Sequence, residues 1–198
     1  MSIVVEHEIR RRKILERAVD VFVDEGFENT TFQKIADRCK ITRTTLYLYF
    51  HNKREIFNYS IKQLLNKVEG DLSGVLKNSR LSHAEKLKRT LSMILDRLEE
   101  NRRLLSVILD YLLCLSKSSD TAESRVRRRT IRLRHILAGV LIEGIKAGEI
   151  KKIDVHAADD LFYGIIETAI FRLTVFKRQS VEELKGTVEF AVRKLCGP

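Results

Sequence analysis

The chain has 198 residues, of which 44% are apolar and 32% charged, and its single proline is the last residue. This is too apolar and too mixed in charge for a disordered chain, and with only 9 glycines it lacks the turn residues of an all-β fold. A net charge of +10 favours polyanionic partners, nucleic acid first among them. Residues 1–55 hold 11 Lys/Arg against 9 Asp/Glu and residues 56–198 hold 26 against 18, so charge alone does not mark the binding surface.

Long helices joined by short turns remain. Their starts are marked where a Ser, Thr, Asn or Asp precedes a Glu or Gln by three residues, as in Thr30/Gln33, Asn52/Glu55, Ser82/Glu85, Asp120/Glu123 and Ser180/Glu183. Gly26 and Gly148 stand where C-terminal caps belong. The apolar spacing predicts nine helices, over about 9–25, 31–39, 43–49, 53–77, 82–99, 102–117, 120–147, 154–176 and 181–196. The first three are short and the later ones long. That change of scale near residue 55 divides the chain into a domain over 1–55 and a second over 56–198.

Other classes are set aside on specific grounds. Met1 to Glu8 is followed by no apolar core, so a signal peptide is not expected. The run from Leu104 to Leu115 is broken by Ser106 and Asp110 and is too short to span a bilayer. Cys39, Cys114 and Cys196 are odd in number and never CxxC, which implies neither a disulfide framework nor a zinc site and suits a reducing, cytoplasmic setting. There is no GxxxxGK[ST], HExxH or GxSxG, and His7, His51, His83, His135 and His156 show no close ligand spacing. No enzymatic activity, cofactor or metal is expected.

Residues 32–50 carry the function. Phe32, Ile35, Ala36 and Cys39 form one apolar stripe on a two-turn helix. A tight connection, Cys39-Lys40-Ile41, leads to Thr42, a good N-cap, and to a second short helix from Arg43 to Tyr49. Two short helices joined by such a turn form the helix-turn-helix pattern, whose second helix enters a major groove. Arg43 can donate to guanine O6 and N7, and Thr44 and Thr45 can hydrogen-bond a base or pack on a thymine methyl. Thr42, Tyr47 and Tyr49 carry hydroxyls suited to phosphate oxygens. Lys53 opens the next helix against the dipole rule, which a nearby phosphate would explain. Arg10 to Lys13 form a basic cluster with two open readings, a DNA-contacting arm or a solvated helix end.

The segment from Ile14 to Leu64 resembles the N-terminal domain of the TetR family of bacterial transcription regulators. The resemblance rests on Ile14, Ala18, Phe22, Glu25-Gly26-Phe27, Thr30-Thr31-Phe32, Ile35-Ala36, Ile41-Thr42, Thr45-Leu46-Tyr47, Tyr49-Phe50, Asn52-Lys53 and Ile56-Phe57. It implies an all-α dimer with a DNA-binding domain followed by a ligand-binding and dimerisation domain. It also places Thr31, Thr42, Tyr47, Tyr49 and Lys53 at phosphate-contacting positions. Lys40 departs from the family pattern, which has glycine in that turn; a left-handed backbone there costs a non-glycine residue about 1 kcal/mol.

By the same resemblance, the last two helices pack against their symmetry mates through Leu161, Ile165, Ile166, Ala169, Leu184, Val188 and Val192; the alternative is that these residues serve only the chain's own core. Tyr111, His135, Tyr163 and Glu167 are candidate polar lining of an effector pocket, each of which also suits an ordinary packed or surface position. Arg125 to Arg134 holds six arginines and no acid, the pattern of a solvated face or of a site for an acidic effector or partner. The function implied is a homodimeric repressor released from a palindromic operator by a small molecule. The rival is a DNA-bound protein without an effector that recruits a protein partner through its basic C-terminal surface.

Overall fold

A computed structural model describes residues 3–116 and 121–196, with side chains over 5–113 and 131–196. Among the described residues the chain is all-α, with nine helices: α1 (Ile3–Asn29), α2 (Phe32–Cys39), α3 (Arg43–Tyr47), α4 (Lys53–Lys77), α5 (His83–Glu100), α6 (Arg102–Ser116), α7 (Thr121–Lys146), α8 (Val155–Thr174) and α9 (Glu182–Leu195). Most bounds fall within two residues of the spacing-based ones. The first helix begins at Ile3, earlier than its apolar pattern implies.

The capping signals are used with small shifts. Gly26 leaves helical geometry at φ 76°, and the Thr30 hydroxyl donates to its carbonyl at 2.7 Å. Thr31, one residue beyond the expected cap, accepts from the Lys34 N–H and starts α2. Ser82 and Glu85 form a complete reciprocal box at the start of α5. Ser180 does not cap α9 directly: it accepts from the Glu182 N–H at 3.2 Å and donates to the Glu99 carboxylate at 2.8 Å. Asp120/Glu123 lies outside the described residues.

Backbone proximity divides the chain into two compact units, Met1–Lys67 and Val68–Pro198, with α4 supplying residues to both. The division falls beyond the change of helix length near residue 55, because the first half of α4 belongs to the core of the first unit. Ile56 and Phe57 are fully buried there, and Phe57 packs edge-on against Phe22 at 4.8 Å. The Ser60 hydroxyl donates to the Leu15 carbonyl at 3.3 Å. The whole stripe of α2 is buried, as its spacing requires.

In the second unit α5 is central, packing on α7, α8 and α9 through Leu87, Leu91 and Leu95. The turn after α7 is closed by Gly148 at φ 73°, and Ile150 pairs with Cys196 in an isolated antiparallel bridge. Gly144 permits this closure: a Cβ there would lie 2.6 Å from Cδ1 and 2.9 Å from Cγ1 of buried Ile150.

The expected dimer residues are placed differently from the sequence expectation. Ile165, Ile166, Ala169, Leu184, Val188 and Val192 are buried in the chain's own core, where α8 and α9 pack on α5. Only Leu161 of that set faces outward. The outer side of α8 carries Ala157, Leu161, Gly164, Thr168, Phe171 and Val175 at alternating four- and three-residue spacing, one helical face. Leu161, Phe171, Val175, Phe176 and Phe190 of α9 are all exposed, Phe176 at 63%.

Among the described residues no helix is long and apolar enough to cross a membrane, and no group of His, Cys, Asp and Glu is assembled to hold a metal ion.

Candidate nucleic-acid interface

The turn between α2 and α3 is built by local hydrogen bonds. Lys40 takes the left-handed conformation at φ 56°, its N–H donates to the Asp37 carbonyl at 3.0 Å, and the Ile41 N–H donates to Ala36 at 3.1 Å. The chain therefore keeps the left-handed turn with lysine in place of glycine and carries the associated strain. Arg17 braces the same corner by donating to the Cys39 carbonyl at 3.1 Å. Burial pushes the Cys39 thiol pKa up, partly countered by Arg17 and Arg38, so this cysteine stays protonated as a core residue.

Thr42 then starts α3, accepting from the Thr45 N–H at 3.0 Å, with the two threonine hydroxyls 2.8 Å apart. Leu46 is fully buried and anchors the short helix. Arg43 donates to the Tyr47 hydroxyl at 3.1 Å and lies over that ring at 5.6 Å, while the ring itself packs on Phe32 at 4.6 Å. Thr31, Thr42, Arg43, Thr44 and Tyr47 are exposed, and Thr45, Tyr49 and Lys53 are half-buried. Arg10, Asp37, Lys40, Ile41, Thr42 and Thr45 line an open depression of about 570 Å³ beside the helix.

The start of α1 joins this surface rather than fraying. His7 stacks on Tyr49 with ring centroids 4.5 Å apart, and the Arg11 guanidinium lies over Phe50 and Tyr59 at 5.1 and 4.2 Å. Within the Arg10 to Lys13 cluster, Arg11 is thus a packing residue and Arg10 a lining residue of the depression. Lys53 has partners of its own, donating to the carbonyls of Phe27 and Glu28 at 2.9 and 2.8 Å. Two residues outside the expected set also lie here: His7, stacked on Tyr49, and Leu48, an exposed apolar residue one turn after Thr44 on a helix anchored by buried Leu46.

The candidate effector residues differ in exposure. Tyr111 is buried and Tyr163 half-buried, whereas His135 and Glu167 are exposed. Arg134 lies 5.5 Å over the Tyr163 ring, donates to Asp159 at 2.7 Å and also pairs with Asp160. Arg132 pairs with Glu69 at 3.1 Å. These two arginines of the basic run are therefore engaged within the chain, while the side chains of Arg125 to Arg129 lie outside the described residues. An open pocket of about 480 Å³ in this unit is lined by Met93, Asp96, Arg97, Glu99, Glu100 and Arg102, none of them a predicted site residue.

Comparison with known proteins agrees with this architecture. Residues 14–59 match the family model described as bacterial regulatory proteins, tetR family. The fatty acid metabolism regulator protein of Bacillus subtilis (strain 168) is 28% identical over 163 residues, 80% of each chain. The crystal structure of the transcriptional regulator FadR from Bacillus subtilis, in complex with stearoyl-CoA, superposes with a TM-score of 0.69 at 25% identity, covering 94% of this chain and 97% of that one. A TetR transcription regulator from Haloarcula marismortui shares the fold at a TM-score of 0.83 and 18% identity, covering 96% and 100%. These relatives are transcriptional regulators rather than enzymes. The matched segment spans the helix-turn-helix, so residues 14–59 carry the DNA-binding segment of the tetR family of bacterial regulatory proteins, and the likeness to transcriptional regulators continues through the second unit.

Proposed function

We propose that this transcriptional regulator is a homodimeric repressor that holds a palindromic operator through α3 and releases it when an acyl-CoA-type effector binds the second unit. Arg43 and Thr44 meet base edges, while Thr31, Thr42, Thr45, Tyr47, Tyr49 and Lys53 position the phosphate backbone. The second copy packs on the outer faces of α8 and α9. Exposed Leu161, Phe171, Val175, Phe176 and Phe190 support this, since large apolar side chains gathered on outer helix faces are the composition of an association surface. A two-fold dimer presents two recognition helices, which is why the operator repeats its half-site as a palindrome.

The effector reading rests on one observation: likeness to a fatty acid metabolism regulator extends over 80% of the chain, not over the DNA-binding segment alone. The four arginines Arg125, Arg127, Arg128 and Arg129 suit the anionic head of such a ligand. Release requires that the ligand bind one conformation better than the other; affinity alone shifts nothing. The test is DNA-binding anisotropy on a site selected from a random library, titrated with stearoyl-CoA, free coenzyme A and stearate. Stearoyl-CoA should weaken DNA binding, and saturating DNA should weaken stearoyl-CoA by the same factor. Stabilisation by stearoyl-CoA with no change in DNA affinity would instead favour recruitment of a protein partner.

A further inference from the structure

Leu48 is the most exposed large apolar side chain among the described residues, at 74%. It stands at the C-terminal end of α3 with helical backbone angles, φ −68° and ψ −19°. Thr44 lies one turn before it, also exposed. The anchor of this helix, Leu46, is two residues from each, so Thr44 and Leu48 both project about 160° away from the buried side. Their neighbours are held back: Arg43 is tied to Tyr47, whose ring packs on Phe32, and Thr45 is bonded to Thr42. Thr44 and Leu48 are thus the outermost ridge of the recognition helix.

A leucine on that ridge has a restricted set of partners in a major groove. The one alkyl group that the base edges present there is the C5-methyl of thymine, and phosphates are charged. An isobutyl side chain gains by removing apolar surface from water and cannot satisfy a donor or acceptor. We propose that Leu48 is a specificity-determining residue that packs on a thymine methyl in each half-site. This rests on the DNA-binding reading above and adds to it the identity of one base.

The experiment uses full-length protein and a duplex selected by it from a random library. Each thymine is replaced in turn by deoxyuridine, which removes the methyl and nothing else. At one position per half-site the wild type should lose about fourfold in affinity per methyl, while Leu48→Ala should bind the thymine and uracil duplexes equally. Leu48→Met, which keeps an apolar side chain of similar volume, should restore part of the methyl dependence. A selected site with no methyl-sensitive thymine overturns the proposal and leaves DNA binding intact, as does a methyl effect unchanged in Leu48→Ala. Failure of the wild type to select any sequence overturns both.

Discussion

The Lys53 ammonium donates to the carbonyl of Phe27 at 2.9 Å and stands 4.8 Å over the ring of that same residue. A second bond, to the Glu28 carbonyl at 2.8 Å, places a cation against the end of α1, where carbonyl groups lack intrahelical partners. A lysine at the start of α4 thereby closes a helix that ends more than twenty residues earlier. Lys53→Ala should lower the stability of the DNA-free protein by about 1–2 kcal/mol, the scale of hydrogen bonds from a charged donor. Chemical denaturation without DNA measures this. An unchanged midpoint would leave phosphate contact as the only role of the ammonium.

Arg43 and Tyr47 form the second testable pair. Arg43→Ala should cost about 1–3 kcal/mol per half-site and relax the preference at one base position. Tyr47→Phe removes the acceptor at 3.1 Å but keeps the ring on Phe32. It should therefore alter affinity without relaxing base preference. Binding across an operator library separates the two, and equal loss of preference in both variants would contradict the assignment.

Inward and outward residues of α8 and α9 should respond differently to charge. Phe171→Glu, on the exposed face, should give a folded monomer with weakened DNA binding, because each half-site then binds alone. Val188→Glu places a carboxylate at a fully buried position and should unfold the second unit. Sedimentation together with circular dichroism distinguishes the outcomes. A wild type that sediments as a monomer at micromolar concentration would remove the dimer from the proposed function.

Lys40 offers a stabilising substitution. At φ 56° a side chain is strained, so Lys40→Gly should raise stability by up to about 1 kcal/mol, offset in part by the extra freedom of glycine in the unfolded chain. The recognition helix should keep its angle, because the Lys40 and Ile41 N–H groups bond backbone carbonyls that the substitution leaves in place. Denaturation midpoints of the two proteins decide it; a loss of stability would show that the lysine side chain contributes more than its backbone strain costs.

The helix positions and the helix-turn-helix were legible in the sequence because they depend on neighbours. Ser82 caps through Glu85 three residues on, Gly148 takes a backbone angle that side chains disfavour, and the stripe of α2 repeats within eight residues. What only the tertiary structure decided lies between residues far apart in the chain. Helix α8 is apolar on two sides, so its composition does not say that Ile166 turns toward α5 while Phe171 turns outward; packing of α5, α8 and α9 makes that choice. Lys53 has a second role, closing the end of α1, that shows only when Phe27 and Glu28 are seen beside it. Leu48 becomes a ridge only because Leu46 is buried and Arg43 and Tyr47 hold each other back. Local hydrogen bonds and periodicity select the helices, whereas burial, which is non-directional, selects their faces only when all partners are present.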